Sequence, residues 1–411
     1  MRKMKSSGVE WIGEIPEDWG IVKVKQAFVR KNEKAKQENP VILSLARTGV
    51  KVRDVSTNEG QVAESYYNYN PVSVGDLLLN PMDLYSGANC SLSEVEGVIS
   101  PAYVNLKNKE GYFSKFYDYY FKVQYWMMVL FAHGKGVSFD NRWTLNHETL
   151  MNFPIVSPDF KTQKHIADFL DDKCGKIDRY IGKQQQIIDK LKEYKQAVIT
   201  EAVRCREGWT SCHLGYLAQF KNGLNYSGLS TDVEISFLGV GDFQNNFILD
   251  SKEMFSRLKY DGNMPEDLLL SSGDIVFVRS NGSKELVGRS VLIENVDYPL
   301  TYSGFCIRMR NYRQDVVLNK FLLYRFWSNE FRQSLNRDSR GSNINNLNQE
   351  LLSKLTVSFP DIEEQHEIIG FLGKKRAEID RAIDKKQSLI EKLTEYKKSL
   401  IYEAVTGKLE V

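Results

Sequence analysis

One long segment of this chain occurs twice, and no other feature constrains its fold so strongly. Residues 163–203 read QKHIADFLDDKCGKIDRYIGKQQQIIDKLKEYKQAVITEAV, and residues 365–405 read QHEIIGFLGKKRAEIDRAIDKKQSLIEKLTEYKKSLIYEAV. The offset is 202 residues, it holds without a gap, and 21 of the 41 paired positions are identical. A period near half the chain length is far longer than the 20–50 residues of a solenoid unit. It implies two similar halves, and hence an internal pseudo-two-fold repeat.

The repeated segments read as helices. Apolar residues fall at Ile177, Ile181, Ile188, Leu191, Val198 and Ala202 in the first copy, and at Ile379, Ile383, Ile390, Leu393, Leu400 and Ala404 in the second. Steps of three and four keep such residues on one face of a helix. Gln184 and Lys195 interrupt the stripe, and the other faces are rich in Lys, Glu, Asp and Gln. A helix with one apolar stripe needs a partner. The two copies are expected to pair with each other as an antiparallel coiled coil, each about 65 Å long at 1.5 Å per residue. Pro158-Asp159 and Pro360-Asp361 precede the copies as start signals.

The stretches between also correspond, more weakly. Trp19-Gly20 through Gln26-Ala27-Phe28 resembles Trp209-Thr210 through Ala218-Gln219-Phe220. Gly75 to Leu79 matches Gly273 to Phe277, a turn feeding a buried strand, and Ser100 to Leu106 matches Ser303 to Met309. Leu145-Asn146 and Leu347-Asn348 keep the offset of the helices. Short strands broken by Gly and Asn predominate, with one aromatic helix in each head, Phe116–Phe131 and Phe321–Leu335. The expected class is α+β. The domains are 1–157, a first head with an amino-terminal scaffold segment; 158–206, a central long helix; 207–359, a second head; and 360–411, a distal long helix.

Composition adds exclusions. Net charge is only +2, so the balance alone does not announce nucleic acid. The five cysteines, Cys90, Cys174, Cys205, Cys212 and Cys306, are odd in number and irregularly spaced, as expected of free thiols in a reducing cytoplasm. The opening MRKMKSSGVEW lacks an apolar signal core, and the longest apolar run, Tyr125 to Ala132, is too short to span a bilayer. The expectation is a soluble, cytoplasmic protein without a membrane partner.

The order SGVEWIGEIPEDW at 7–19, a head, a Q-x-x-I-x-x-F-L-x-x-K-x-x-x-I-D helix at Gln163–Asp178, a second head, and the same helix motif at Gln365–Asp380 resembles the specificity subunit of type I restriction-modification systems. The resemblance covers the whole chain. It implies two target recognition domains separated by the family's conserved long helices. Each domain would read one half of a bipartite double-stranded DNA target. The helical pair would set the spacing and dock two methyltransferase subunits, and motor-nuclease subunits would complete the complex. The chain itself would hold no cofactor; S-adenosylmethionine, ATP and Mg would enter through other subunits.

Reading bases takes Arg, Lys, Asn, Gln and Ser on exposed loops. Four stretches have that composition. In the first head they are Asn80–Asn89, with Tyr85, and His133–Arg142, with Lys135, Ser138, Asn141 and Arg142. In the second they are Arg279–Lys284 ending near Arg289, with Arg279, Asn281, Ser283, Lys284 and Arg289, and Arg337–Asn346, with Arg337, Arg340, Ser342, Asn343 and Asn345. The aromatic run Tyr117, Tyr119, Tyr120, Phe121, Tyr125, Trp126 has helical spacing and is expected in the head core rather than as a stacking platform.

Catalytic signatures are missing from the sequence. Phe237-Leu238-Gly239-Val240-Gly241 fits F-x-G-x-G, but no helix is expected after it, and no Asp/Asn-Pro-Pro-Tyr/Phe element accompanies it. No Gly-x-x-x-x-Gly-Lys-Ser/Thr loop is present. Cys205, Cys212 and His213 lack a fourth ligand at zinc spacing. Asp159 and Asp361 stand where helix caps are needed. The expected role is non-catalytic, with a coiled-coil adaptor that binds no DNA sequence as the alternative.

Overall fold

The computed structural model describes residues 3–55, 63–82, 84–85, 89–136, 143–225, 233–244, 246–260, 264–281, 286–337 and 347–411. Four helices organise the chain: α1, Ser114–Trp126; α2, Phe160–Ala202; α3, Asn319–Trp327; and α4, Ile362–Val405. α2 and α4, with 43 and 44 residues, are the repeated segments. The chain falls into two compact units, Met1–Gln184 with Ser388–Val411, and Gln185–Gln387. Both long helices are divided between the units. Each unit therefore contains the first part of one long helix and the last part of the other.

In the first unit, the sheet runs Phe28–Arg30, Val104–Asn108, Leu77–Leu79, Cys90–Leu92, antiparallel throughout. A second ladder pairs Gly20–Lys23 with Pro154–Ser157 and ties the start of the head to its end. The α1 aromatics pack behind the sheet: Phe116, Tyr117, Tyr120, Phe121 and Tyr125 are each at most 1% exposed. A buried aromatic contributes about 1.5–3 kcal/mol, so these rings carry much of the head's core. Ile166, Ala167, Leu170 and Cys174 of α2 share that core with Leu400, Ile401, Ala404 and Val405 of α4. A hairpin, Met4–Ser6 with Glu14–Pro16, joins it through Ile12, Ile15 and Trp19.

The second unit repeats the plan with additions. Its sheet runs Ala218–Asn222, Cys306–Asn311, Ile275–Val278, Ser290–Ile293, Ile248–Leu249, the last pair parallel. The first four strands match the first head's sheet strand for strand. Thr210–His213 pairs with Thr356–Phe359 as the tying ladder. A three-stranded sheet of Ser256–Tyr260, Val233–Leu238 and Leu300–Tyr302, with one parallel pair, has a smaller counterpart in the first head, where the hairpin of Leu43–Ala46 and Gly49–Val52 meets Gly97–Ile99 through the parallel bridge Ile42–Val98. Ile199 and Val203 of α2 and Ile368 and Leu372 of α4 lie in its core.

Equivalent residues do equivalent work in the two units. Gly75 and Gly273 both have positive φ, +87° and +95°, a conformation only glycine adopts without strain. The next residue closes each turn: Asp76 Oδ2 accepts from Ser73 N at 2.8 Å, and Asp274 Oδ2 from Ser271 N at 2.8 Å. A cation completes each, Lys31 on Asp76 and the bidentate Arg310 on Asp274. Asn146 and Asn348 cap short helices by accepting from Thr149 N and Leu351 N. Asp159 and Asp361 cap α2 and α4 by accepting from Thr162 N and Glu364 N, both at 2.9 Å.

The first residue of each repeated motif is a buried clamp. Gln163, 1% exposed, accepts from Phe113 N at 2.7 Å and donates to Pro158 O at 2.7 Å and Gly111 O at 3.3 Å. Gln365, 0% exposed, accepts from Leu318 N at 2.8 Å and donates to Pro360 O at 2.8 Å and Val316 O at 2.9 Å. Each glutamine fastens the start of a long helix to the loop that opens the head's aromatic helix.

Within each unit the long helices run antiparallel. In the first, Asp178 of α2 pairs with Lys397 of α4 at 2.6 Å. In the second, Lys195 of α2 pairs with Asp380 of α4 at 2.7 Å. These are the same two positions of the repeat with the helices exchanged. Such partly exposed pairs contribute about 0.2–1 kcal/mol, so they set register more than they hold the helices together. Of the seam residues, Ile188, Ile379 and Leu400 are buried, and Ile177, Ile181, Leu191, Val198, Ile383, Ile390 and Leu393 are half-buried.

The aromatic helices are shorter than the sequence suggests. α1 stops at Trp126, Met128 turns left-handed at φ 59°, and a new turn Val129–Ala132 begins. α3 stops at Trp327, where Ser328 is extended and its Oγ accepts from Phe331 N, starting Asn329–Arg337. In both heads the break precedes the polar stretch that follows.

Candidate nucleic-acid interface

The described ends of the four polar loops meet in pairs, one pair in each head. In the first, Leu145 N donates to Pro81 O at 2.8 Å, which joins the end of the His133–Arg142 stretch to the start of Asn80–Asn89. In the second, Leu347 N donates to Arg279 O at 2.8 Å and joins Arg337–Asn346 to Arg279–Arg289 in the same way. Further backbone bonds close the loops at their bases. Asn80 N donates to Asn89 O at 2.8 Å, Lys135 and Thr144 exchange bonds of 2.8 and 3.0 Å, and Val278 N donates to Arg289 O at 2.8 Å. Tyr125 of α1 donates from its hydroxyl to Asn80 O at 2.7 Å, so the head core holds the first pair from behind.

The candidate residues divide between described and undescribed positions. Tyr85 is 72% exposed, with its ring 5.9 Å from Phe131, and Lys135 is exposed. Arg279 and Asn281 are half-buried at the junction, and Arg279 Nη1 donates to Gly304 O at 3.4 Å. Arg289 is half-buried with its guanidinium 5.8 Å over the Trp327 ring. Burial, and then the like charge of Arg332, lower the pKa of Arg289. An arginine so placed stays protonated at neutral pH, so Arg289 and Arg332 concentrate positive charge around a cavity of about 250 Å³ that Ser290 and Trp327 also line. Ser138, Asn141, Arg142, Ser283, Lys284, Arg340, Ser342, Asn343 and Asn345 lie outside the described residues, as does the side chain of Arg337, whose backbone ends the helix Asn329–Arg337.

A search for polar residues passes over Phe305. It is 63% exposed between Gly304 and Cys306, which are both buried. Its carbonyl accepts from Arg279 N at 2.7 Å, which puts it against the junction of the second head's loops. The signal for it lay in the correspondence of Ser303–Met309 with Ser100–Leu106, where its counterpart is Ala102.

Elsewhere the chain's reactive groups have structural surroundings. None of the five cysteines forms a disulfide. Burial pushes Cys174 up to about 11 and Cys306 up to about 12, which keeps both as thiols. After Leu238 the F-x-G-x-G stretch enters a single 3-10 turn, Val240–Phe243. Among the described residues no group of three or more His, Cys, Asp or Glu is placed to hold a metal ion. No described helix is long and apolar enough to cross a membrane.

The model of the type I restriction modification DNA specificity domain matches residues 206–393. The chain is 29% identical over 306 residues to the StySPI type I restriction enzyme specificity subunit of Salmonella potsdam, covering 70% of this chain and 61% of the relative. It is 26% identical over 303 residues to the EcoKI specificity subunit of Escherichia coli K12, covering 68% and 61%. This chain is similar to the specificity subunits of type I restriction-modification systems. A chain solved in work on complex assembly and conformational transition of the type I R-M system shares the fold, with a TM-score of 0.71 over 96% of this chain and 99% of that one at 14% identity. The chain spans 61% of the length of both curated family members. The two heads and repeated helices described above lie within the fold shared with that solved chain.

Proposed function

We propose that the chain is the non-catalytic DNA-specificity subunit of a cytoplasmic type I restriction-modification complex. Each head reads one half of a bipartite double-stranded target. The observation that carries this is the stitching of the ends of two polar loops at one place in each head, by matching backbone bonds, on otherwise matched scaffolds. The matched parts are turns, caps and clamps, while the sequences of the loops have diverged. Two readers of one design with different surfaces suit two different half-sites.

The helical pair supports the rest of the proposal. A half-site spacing must hold to within one base-pair step of about 3.4 Å. Continuous helices with matched ion pairs fix a distance better than a flexible linker does. In the second unit the pair carries an apolar groove of about 410 Å³, lined by Val198, Ala202, Ile368 and the 49%-exposed Phe371 and rimmed by Glu201, Arg206 and Glu367. A surface of that kind suits one of two methyltransferase subunits. Motor-nuclease subunits complete the assembly, and S-adenosylmethionine, ATP and Mg are used by those other subunits.

The test is single-molecule methylation mapping of DNA from cells expressing this chain with its cognate methyltransferase subunit, against cells lacking this chain. The expected result is a split motif, two short halves around a fixed gap, present only with this chain. An assembled, active complex without any motif would replace the proposal with a coiled-coil adaptor.

A further inference from the structure

Phe305 is an apolar side chain that the second head presents to solvent without any need of its own fold. It is the exposed member of a run from Leu300 to Met309 whose other members are all buried. The turn that carries it is pinned on every side. Ser303 N donates to Leu238 O at 3.0 Å, Gly304 N to Leu224 O at 2.8 Å, and Cys306 N to Ser303 O at 2.8 Å. Phe305 N donates to Ser303 Oγ at 3.2 Å, and its carbonyl accepts from Arg279 N. A Cβ at Gly304 would collide with Asn225 Oδ1. The ring therefore stands on a fixed backbone, with little main-chain freedom left to lose on contact.

The first head serves as an internal control. Its equivalent turn is Ser100–Tyr103, closed by the same two bonds: Ala102 N donates to Ser100 Oγ at 3.3 Å, and Tyr103 N to Ser100 O at 3.0 Å. An exposed alanine occupies the position there. The turn closes with a methyl group, so the phenyl ring of the second head is not required to form it. A single exposed apolar residue ordinarily needs no explanation. This one has a rigid mount, no structural duty, and Arg279, Ser280 and Asn281 beside it.

We propose that Phe305 is a specificity determinant of the second head, an apolar contact that seats against the bases of that head's half-site. Rigid apolar side chains read DNA by packing on thymine methyl groups or by wedging between base steps. The backbone N–H groups of Arg279 and Ser280 donate to its carbonyl, so the apolar ring stands at the edge of the head's polar stretch. This inference rests on the proposed function, which assigns a separate half-site to each head.

The experiment uses the full chain assembled with its methyltransferase subunit, wild type and Phe305→Ala. Phe305→Ala copies the first head's turn and is expected to fold and assemble normally. Methylation mapping and competition binding to duplexes varied in one half-site at a time provide the readout. The expected result is a loss of about 5- to 150-fold in discrimination at one or two positions of one half-site, with the other half unchanged. Phe305→Trp restores discrimination at least in part, because it keeps an apolar face. A 2-aminopurine substitution at the affected positions reports unstacking for a wedge, and uracil in place of thymine reproduces the loss for a methyl contact; either result supports the proposal. An unchanged motif in Phe305→Ala overturns it while leaving the two-head reading intact. An unchanged motif with impaired assembly also overturns it and assigns the ring to a protein contact. If the wild-type complex yields no split motif, the parent reading fails first.

Discussion

Replacing Gln365 with alanine tests whether the buried glutamine is what fastens α4 to the second head. The side chain makes three hydrogen bonds and is fully buried. At about 1 kcal/mol net for each bond, the loss is about 3 kcal/mol, and more if Leu318 N–H finds no water. With an urea dependence of about 2 kcal/mol per molar, the midpoint of that unit falls by about 1.5 M. Because the two units need not unfold together, the measurement should be local: hydrogen exchange under a urea series, comparing residues 316–325 and 360–372 with 111–120 and 158–170. Gln365→Ala should open the first two stretches and spare the others, and Gln163→Ala should do the reverse. Gln365→Glu keeps the acceptor for Leu318 N but sets a carboxylate against two carbonyls. Its buried carboxyl is raised above its unfolded value, so its stability deficit grows as pH rises past the unfolded value and shrinks in acid. A shift below about 0.5 kcal/mol for Gln365→Ala, within the range of an ordinary surface change, would refute the clamp.

Three further outcomes are expected. Asp159→Ala should cost about 1 kcal/mol in thermal unfolding as α2 loses its cap. The bonds from Thr162 hold the Asp159 carboxyl below its ordinary value, so its contribution is present above about pH 4 and is lost as pH falls through the lowered value; Asp159→Asn should keep most of the cap and remove that acid dependence. Ile188→Asp places a charge at a position 2% exposed and should cost about 3 kcal/mol or more by chemical denaturation, whereas Ile390→Asp at the half-buried counterpart should cost clearly less. Gly407→Ala should destabilise the first unit, because its φ is +72° and an added Cβ would lie 2.5 Å from the Pro16 ring; Gly208→Ala, with φ +89° but open space around it, should pay only the backbone strain.

The long helices were legible because an apolar stripe over forty residues is a strong periodic signal, and the cap aspartates because capping chemistry is local. The turns at Gly75 and Gly273, the strands they feed, and the strand pair at Ser100–Leu106 and Ser303–Met309 followed from comparing the halves with each other, whereas the order of the four-stranded sheets depends on long-range pairing that no local pattern carries. The break at Met128 was not legible, since nothing in WMMVLF opposes a helix and tertiary packing decides, whereas Ser328 in FWSNEF carried a local capping signal that the helical periodicity masked. The clamps at Gln163 and Gln365 stood in the quoted motif without a stated role, because a buried glutamine has no sequence pattern of its own. The pairing of the loops depends on Leu145 and Leu347 N–H groups, which no side-chain search detects. Phe305 was passed over because the search for base readers looked for polarity.

The division of the helices also bears on the order in which the chain folds as it is made. Residues 185–387 form one compact unit from one uninterrupted stretch, so all its parts have been synthesised once residue 387 has been added. The other unit takes most of its residues from the first 184 but needs 388–411, which supply Leu400, Ile401, Ala404 and Val405 to its core. Domains ordinarily fold in order of synthesis. Here the head made first waits for residues 388–411, with the first part of α2's apolar stripe uncovered in the interval. A nascent chain held with residues up to 387 outside the ribosome and those from 388 onward still inside should therefore carry a folded second head and an open first one.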